Sequence, residues 1–188
     1  MTDAVTSGGA RPAVVVALLV GLLGGTAAGI VWVVPAWLRL EAGSDIGHAA
    51  AVALVAWSVH RALLAATTLV PELSFGASIA CGSTAACAAA LITGGMLYVL
   101  FRWLRPEALG VRYDRYITAI SDSGRPAAVI EAELARLTTY RAQYLDPVVA
   151  AAGDAGMLLF AGLVAATFLA WRWRAARRRG RRPGSTHR

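Results

Sequence analysis

The chain contains no lysine, so all 18 of its basic residues are arginine. Charge of either sign is scarce: 15% of the 188 residues, where a soluble domain carries about 25%. With 57% hydrophobic residues and a mean hydropathy of +0.58, that shortage excludes a water-soluble fold and an intrinsically disordered chain. Cysteine is limited to Cys81 and Cys87, both inside one apolar stretch. Six residues apart on a helix they point roughly 240° apart and cannot pair with each other. They also lack the close partners of a zinc site, and read as small apolar fillers. Histidine is equally sparse. His48 and His60 are about 120° apart around a helix, so they form no single metal or haem face, and the third is His187 in the C-terminal tail. No GxxxxGK[ST], HExxH, CxxC or GxSxG occurs, which leaves phosphate-loop, zincin, disulfide-exchange and hydrolase-elbow chemistry without support. No metal and no cofactor is expected.

What the chain has is four long apolar runs. The first, Ala13 to Leu38, exceeds the core of a signal peptide and ends on Trp32 and Trp37, rings that prefer the headgroup level. The second, about 47–70, is interrupted by His60 and Arg61, and Arg61 is close enough to the end to snorkel to water. The third, about 75–103, closes with Tyr98, Phe101 and Trp103; the fourth, about 147–173, follows Asp146-Pro147. Each is long enough to cross the ~30 Å of a bilayer core. The sequence therefore predicts an all-α integral membrane protein. A short tail over 1–12 leads into a single four-helix domain over 13–173, with an extramembrane helical hairpin over 104–146 between the third and fourth spans and an arginine-rich tail over 174–188.

The hairpin is legible from periodicity. Tyr113, Tyr116, Ile117 and Ile120 recur as one stripe of an amphipathic helix, and Ile130, Leu134, Leu137, Arg141 and Tyr144 form a second. Between them Gly124 ends one helix and Pro126 suits the first turn of the next. Glu133 and Arg136, three apart, are placed to pair along the second helix. Orientation follows from arginine bias. The tail that follows the fourth span holds Arg172, Arg174, Arg177, Arg178, Arg179, Arg181, Arg182 and Arg188 with no acid, which predicts a cytoplasmic C-terminus, a cytoplasmic N-terminus and an external hairpin. The hairpin segment opposes this with seven arginines, counting Arg102 and Arg105, beside Glu107, Asp114, Asp122, Glu131, Glu133 and Asp146.

The order of segments, with Leu73-Ser74-Phe75-Gly76-Ala77 before the third span, the Ile130–Leu145 helix and Tyr144-Leu145-Asp146-Pro147 at re-entry, resembles a bacterial membrane family, the domain of unknown function numbered four-one-nine-nine. The resemblance covers roughly residues 12 to 175 and departs at 60–74, apolar here where relatives carry a charged turn. It implies the architecture above in a bacterial inner membrane, and no activity.

Two features bear on function. Gly21, Gly25 and Gly29 make two overlapping GxxxG steps on one helix face, with Gly24 one step round from it. Such a face lets a neighbouring helix approach closely. The neighbour is either a second copy or partner, giving a homo-oligomer, or the third span, whose Gly76, Ala80, Ser83, Ala86 and Cys87 are also small. Asp154 is the second feature, an ionisable group up to two turns inside the fourth span. It is either a functional carboxylate at membrane depth or a residue of the headgroup zone near a helix N-terminus. Arg102 and Arg105, ending the third span on the same side with Arg39 of the first, make an Asp154–Arg102 pair the expected charge site. The arginine tail is expected to meet anionic lipid headgroups of the bilayer, not nucleic acid. These readings point first to a non-enzymatic anchoring, assembly or interaction protein. The alternatives are a small oligomeric proton- or solute-coupled transporter using Asp154 and, more weakly, a membrane enzyme acting on lipid or quinone.

Overall fold

In the computed structural model, residues 7–38 and 43–180 are described, and every regular element among them is helical. Four helices are long and apolar enough to cross a membrane, over Arg11–Trp37, Ile46–Leu69, Phe75–Leu104 and Pro147–Ala176. The protein is a multi-pass all-α membrane protein. The helices themselves are α1 (Ser7–Trp37), α2 (Gly43–Leu69), α3 (Phe75–Val99) and, after the hairpin, α7 (Pro147–Gly180). The hairpin consists of α4 (Glu107–Ser121), α5 (Ala127–Thr139) and the single turn α6 (Arg141–Tyr144). Arg39 and most of the arginine tail lie outside the described residues, as does most of the turn between the first two spans.

Central in the bundle is α3, which packs on α1, α2 and α7, while α2 closes the other side by touching α1 and α7 as well. The contacts are made largely by alanine and glycine. Gly21 and Gly25 face α3 so closely that a Cβ on Gly21 would lie 2.5 Å from the Ala85 carbonyl oxygen, and one on Gly25 2.6 Å from the Ala89 Cα. A Cβ on Gly29 would strike Met96 Sδ. Thr93 crosses the same seam, its Oγ1 donating a 3.0 Å hydrogen bond to the Gly25 carbonyl. The glycine face is thus filled from within the chain, and any association with a second copy must use another surface. The residues meeting it are Ala85, Ala88, Ala89 and Met96; Ala86 instead meets Gly162 of α7, and Gly76 has open space around it. Gly24 is equally occupied, by Ser58 of α2. Three helix pairs, α1 with α3, α1 with α2 and α3 with α7, therefore pack at small-residue seams, where van der Waals contact between close backbones replaces the hydrophobic effect that lipid cannot supply.

Side chains facing away are large and apolar: Leu23, Leu91 and Phe160 are each at least 70% exposed, as a lipid-facing surface requires. Arg61 does not break α2. It stays on the exposed face with its guanidinium 5.8 Å from the Trp57 ring centroid.

Candidate functional site

At the hairpin end of the bundle the chain leaves α3 through a π-helical turn, Leu100–Leu104, closed by the Arg105 N–H donating to the Leu100 carbonyl at 2.7 Å. The extra residue in that turn sets where the next side chains project. Arg105 turns back onto the end of α1, donating to the carbonyls of Ala36 and Trp37 at 3.1 and 3.2 Å, while its Nε pairs with Glu107. A cation on the orphan carbonyls at a helix C-terminus satisfies both the hydrogen bonds and the dipole. Arg102, by contrast, is exposed on the π-helical turn.

The hairpin then folds over α7. At its far end Gly124 takes φ +66°, a left-handed conformation that glycine adopts freely, and Pro126 precedes the first turn of α5. At its near end Asp146 caps α7, its Oδ1 accepting from the N–H groups of Val148 (2.7 Å) and Val149 (3.3 Å), with Pro147 at the first helical position. The hairpin's own core is thin: Tyr113 of α4 and Leu137 of α5 are buried, while buried Leu109 joins the bundle core with Leu100, Ala151 and Leu158.

What fastens the hairpin to the bundle is an ion pair. Arg112 of α4 donates from Nη1 to Asp154 Oδ2 at 2.7 Å and from Nη2 to Oδ1 at 2.9 Å. Asp154 is 3% exposed, on the inward face of α7 with Ala151 and Leu158. The partner of Asp154 is therefore Arg112, not Arg102. The end of α3 is near in sequence logic, but α4 is the element that lies over this face of α7. The Arg112 guanidinium is held more basic than usual, chiefly by its hydrogen bonds to Asp154, with burial opposing. Its Nε donates to the Tyr116 hydroxyl at 3.3 Å.

Beside the pair is a cavity of about 480 Å³ between α4, α5, α6 and α7. Tyr113, Tyr116, Tyr140 and Tyr144 line it, with Gln143 and Arg136 among the polar groups and Leu109, Val149 and Met157 among the apolar ones. Tyr144 lies 6.1 and 6.5 Å from the rings of Tyr113 and Tyr116, and Arg141 sits over Tyr113 at 5.8 Å. Glu133 does not pair with Arg136; it accepts a 2.7 Å hydrogen bond from Arg125 across the turn. That leaves Arg136 facing the cavity without an ion pair among the described residues.

The histidines stay apart. His48 meets Trp32 edge to face at 4.4 Å, and His60 Nδ1 is buried without a hydrogen-bond partner. Among the described residues no three His, Cys, Asp or Glu side chains gather as metal ligands. Cys81 is buried and Cys87 exposed, both as free thiols.

Sequence reasoning found Asp154 but missed Arg112 and the cavity. The signals were Tyr113 and Tyr116 in the first stripe, Tyr144 in the second and Tyr140 next to it, whose hydroxyls a dry apolar seam would leave without partners. No family model, curated protein or solved structure matches the chain.

Proposed function

We propose that the chain is a non-enzymatic protein of the bacterial inner membrane, with both termini cytoplasmic, that anchors and assembles other molecules at the membrane surface through its hairpin. The observation that carries this reading is the bidentate Arg112–Asp154 pair. A buried carboxylate in α7 is used to hold an extramembrane module against the bundle. The module has few buried contacts of its own and exposes Val111, Tyr116, Val129 and Tyr140. Such surfaces suit recognition more than packing.

A second reading, a small proton- or solute-coupled carrier with Asp154 as its working carboxylate, draws on the cavity bordering that residue. A carrier carboxylate has to exchange its counter-charge in each cycle, and Asp154 is held by two short charge-assisted hydrogen bonds that favour a fixed role.

Two measurements on the full chain separate these. A photo-cross-linker at Val129 should give a discrete product in native membranes that disappears in Asp154→Asn. Vesicles containing the purified chain should show no pH-driven flux above empty vesicles. A flux abolished by Asp154→Asn would replace the anchoring reading with the carrier.

A further inference from the structure

The cavity beneath the hairpin has two walls of different balance. The hairpin side is mainly polar: phenols, the Gln143 amide, and the guanidinium groups of Arg112 and Arg136, beside Leu109. On the α7 side the Asp154 carboxylate is taken up by Arg112, with Ala150 nearby; away from that pair Val149, Gly153 and Met157 line the wall. Spaced by four, these three lie along one face of the helix. Val149 and Met157 are exposed, and beyond Gly153 there is open space where a side chain would stand. The same face continues into Phe160 and Val164, both exposed on the membrane span. A track of apolar surface therefore leads out of a polar chamber and down the outside of the bundle.

The charges in the chamber do not cancel. Arg112 is matched by Asp154, and Arg136 has no acid opposite it because Glu133 is engaged by Arg125. One positive charge is left over, in a setting of hydroxyl and amide donors. A guanidinium with such neighbours matches the oxygens of a phosphate ester, which it can contact through two N–H groups at once. The volume of about 480 Å³ falls in the range of ~300–1,000 Å³ typical of small-ligand sites.

We propose that this cavity holds the headgroup of an anionic phospholipid, with Arg136 as its counter-ion and the acyl chains lying on the Val149–Gly153–Met157 track. The shared chemistry is a singly charged phosphate ester. The apolar track is the feature that a free phosphate would not use, and it selects the bilayer as the source. Tyrosine at this depth serves both sides of the ligand, since its ring is apolar and its hydroxyl donates. This inference rests on the hairpin being docked on α7 as the proposed function requires.

The test uses the full chain in mild detergent, with lipid retention read by native mass spectrometry. Phosphatidylglycerol and phosphatidylcholine of identical chains are the probes. The expected result is one phosphatidylglycerol retained per chain, in preference to phosphatidylcholine. Arg136→Gln should lower that retention about fivefold, as expected for one arginine at a membrane surface. Arg102→Gln removes the same charge from the same end of the bundle but away from the cavity, and should leave retention unchanged. Equal retention of the two lipids would overturn the proposal, as would an unchanged Arg136→Gln protein or an equal loss in Arg102→Gln. Inorganic phosphate that displaced the lipid at comparable concentration would overturn the bilayer as the source. Docking is read separately, by the stability of Arg112→Gln, Asp154→Asn and the double variant in the same detergent. Lost lipid selectivity with non-additive losses refutes the lipid site alone, and lost selectivity with additive losses refutes the docked hairpin.

Discussion

Asp154 and Arg112 are 42 residues apart in the chain and meet through two parallel hydrogen bonds, one carboxylate oxygen to each terminal guanidinium nitrogen. The Asp154 side chain is nearly inaccessible, and the Arg112 side chain keeps 37% of its surface open. Removing either partner strands the other, and the stranded carboxylate is the worse placed of the two. Arg112→Gln should destabilise the protein in detergent by about 1–3 kcal/mol, less than a fully buried pair because water still screens the arginine. Asp154→Asn, which strands only the partly exposed arginine, should cost less, and the double change should cost less than the two added together by roughly 1 kcal/mol. Arg102→Gln should fall within about 0.5 kcal/mol of the parent. Additive losses at 112 and 154 would mean the pair does not join hairpin to bundle.

That pair also marks where the sequence stopped being legible. Four spans could be read because a run of twenty apolar residues has one common use, and the hairpin because Gly124 and Pro126 break two stripes of period 3.6. Asp154 was conspicuous because carboxylates are rare at that depth. Its partner was not, because choosing among seven arginines requires knowing how far the π-helical turn rotates α4 relative to α3. Residue spacing carries no record of an inserted i→i+5 hydrogen bond such as that between Arg105 and Leu100. The same turn decides that Arg105 serves α1. Glu133 was misjudged for a related reason: i,i+3 spacing offers it Arg136, and only the fold brings Arg125 nearer.

Gly25 of α1 and Gly153 of α7 differ in what surrounds them. At Gly25 an added methyl would meet the backbone of Ala89, which cannot move aside without separating two helices. Gly25→Ala should therefore lower stability by about 1–3 kcal/mol despite its better helix propensity. Gly24→Ala, against Ser58, should also destabilise, so residue 24 is no neutral control. Gly153→Ala meets nothing within 4 Å and should be neutral or stabilising by up to ~1 kcal/mol. Thermal midpoints of the three variants in one detergent would check this order, and equal losses at 25 and 153 would contradict it.

Arg105 ties three elements with one side chain, accepting nothing and donating to two α1 carbonyls and one carboxylate. Arg105→Gln should release the end of α1 at a cost of about 1–2 kcal/mol, the value of hydrogen bonds to a charged group that is mostly buried. Arg105→Lys should recover only part of it, because a single ammonium cannot reach both carbonyls in the fork geometry of a guanidinium. The environment of Trp37 gives a local readout: its emission should shift in the glutamine variant and not in Arg102→Gln.

Topology gives the last prediction. The positive-inside rule counts arginines near span ends and gives acids little weight, so the two sides of this protein compete closely by number. They differ in the acids beside those arginines. On the hairpin side Arg105, Arg112 and Arg125 are each bonded to a carboxylate. The sequence from 172 to 188 contains eight arginines and no acid. This concentrated charge should dominate retention, since moving it across the membrane potential costs about 2.3 kcal/mol per charge per 100 mV. Reporter fusions should accordingly place residue 188 in the cytoplasm and residue 124 outside. Replacing Arg177, Arg178, Arg179, Arg181 and Arg182 by glutamine should weaken that preference and give a mixed population. A uniformly external reporter at residue 188 of the unaltered chain would reverse the orientation and with it the side on which the lipid site opens.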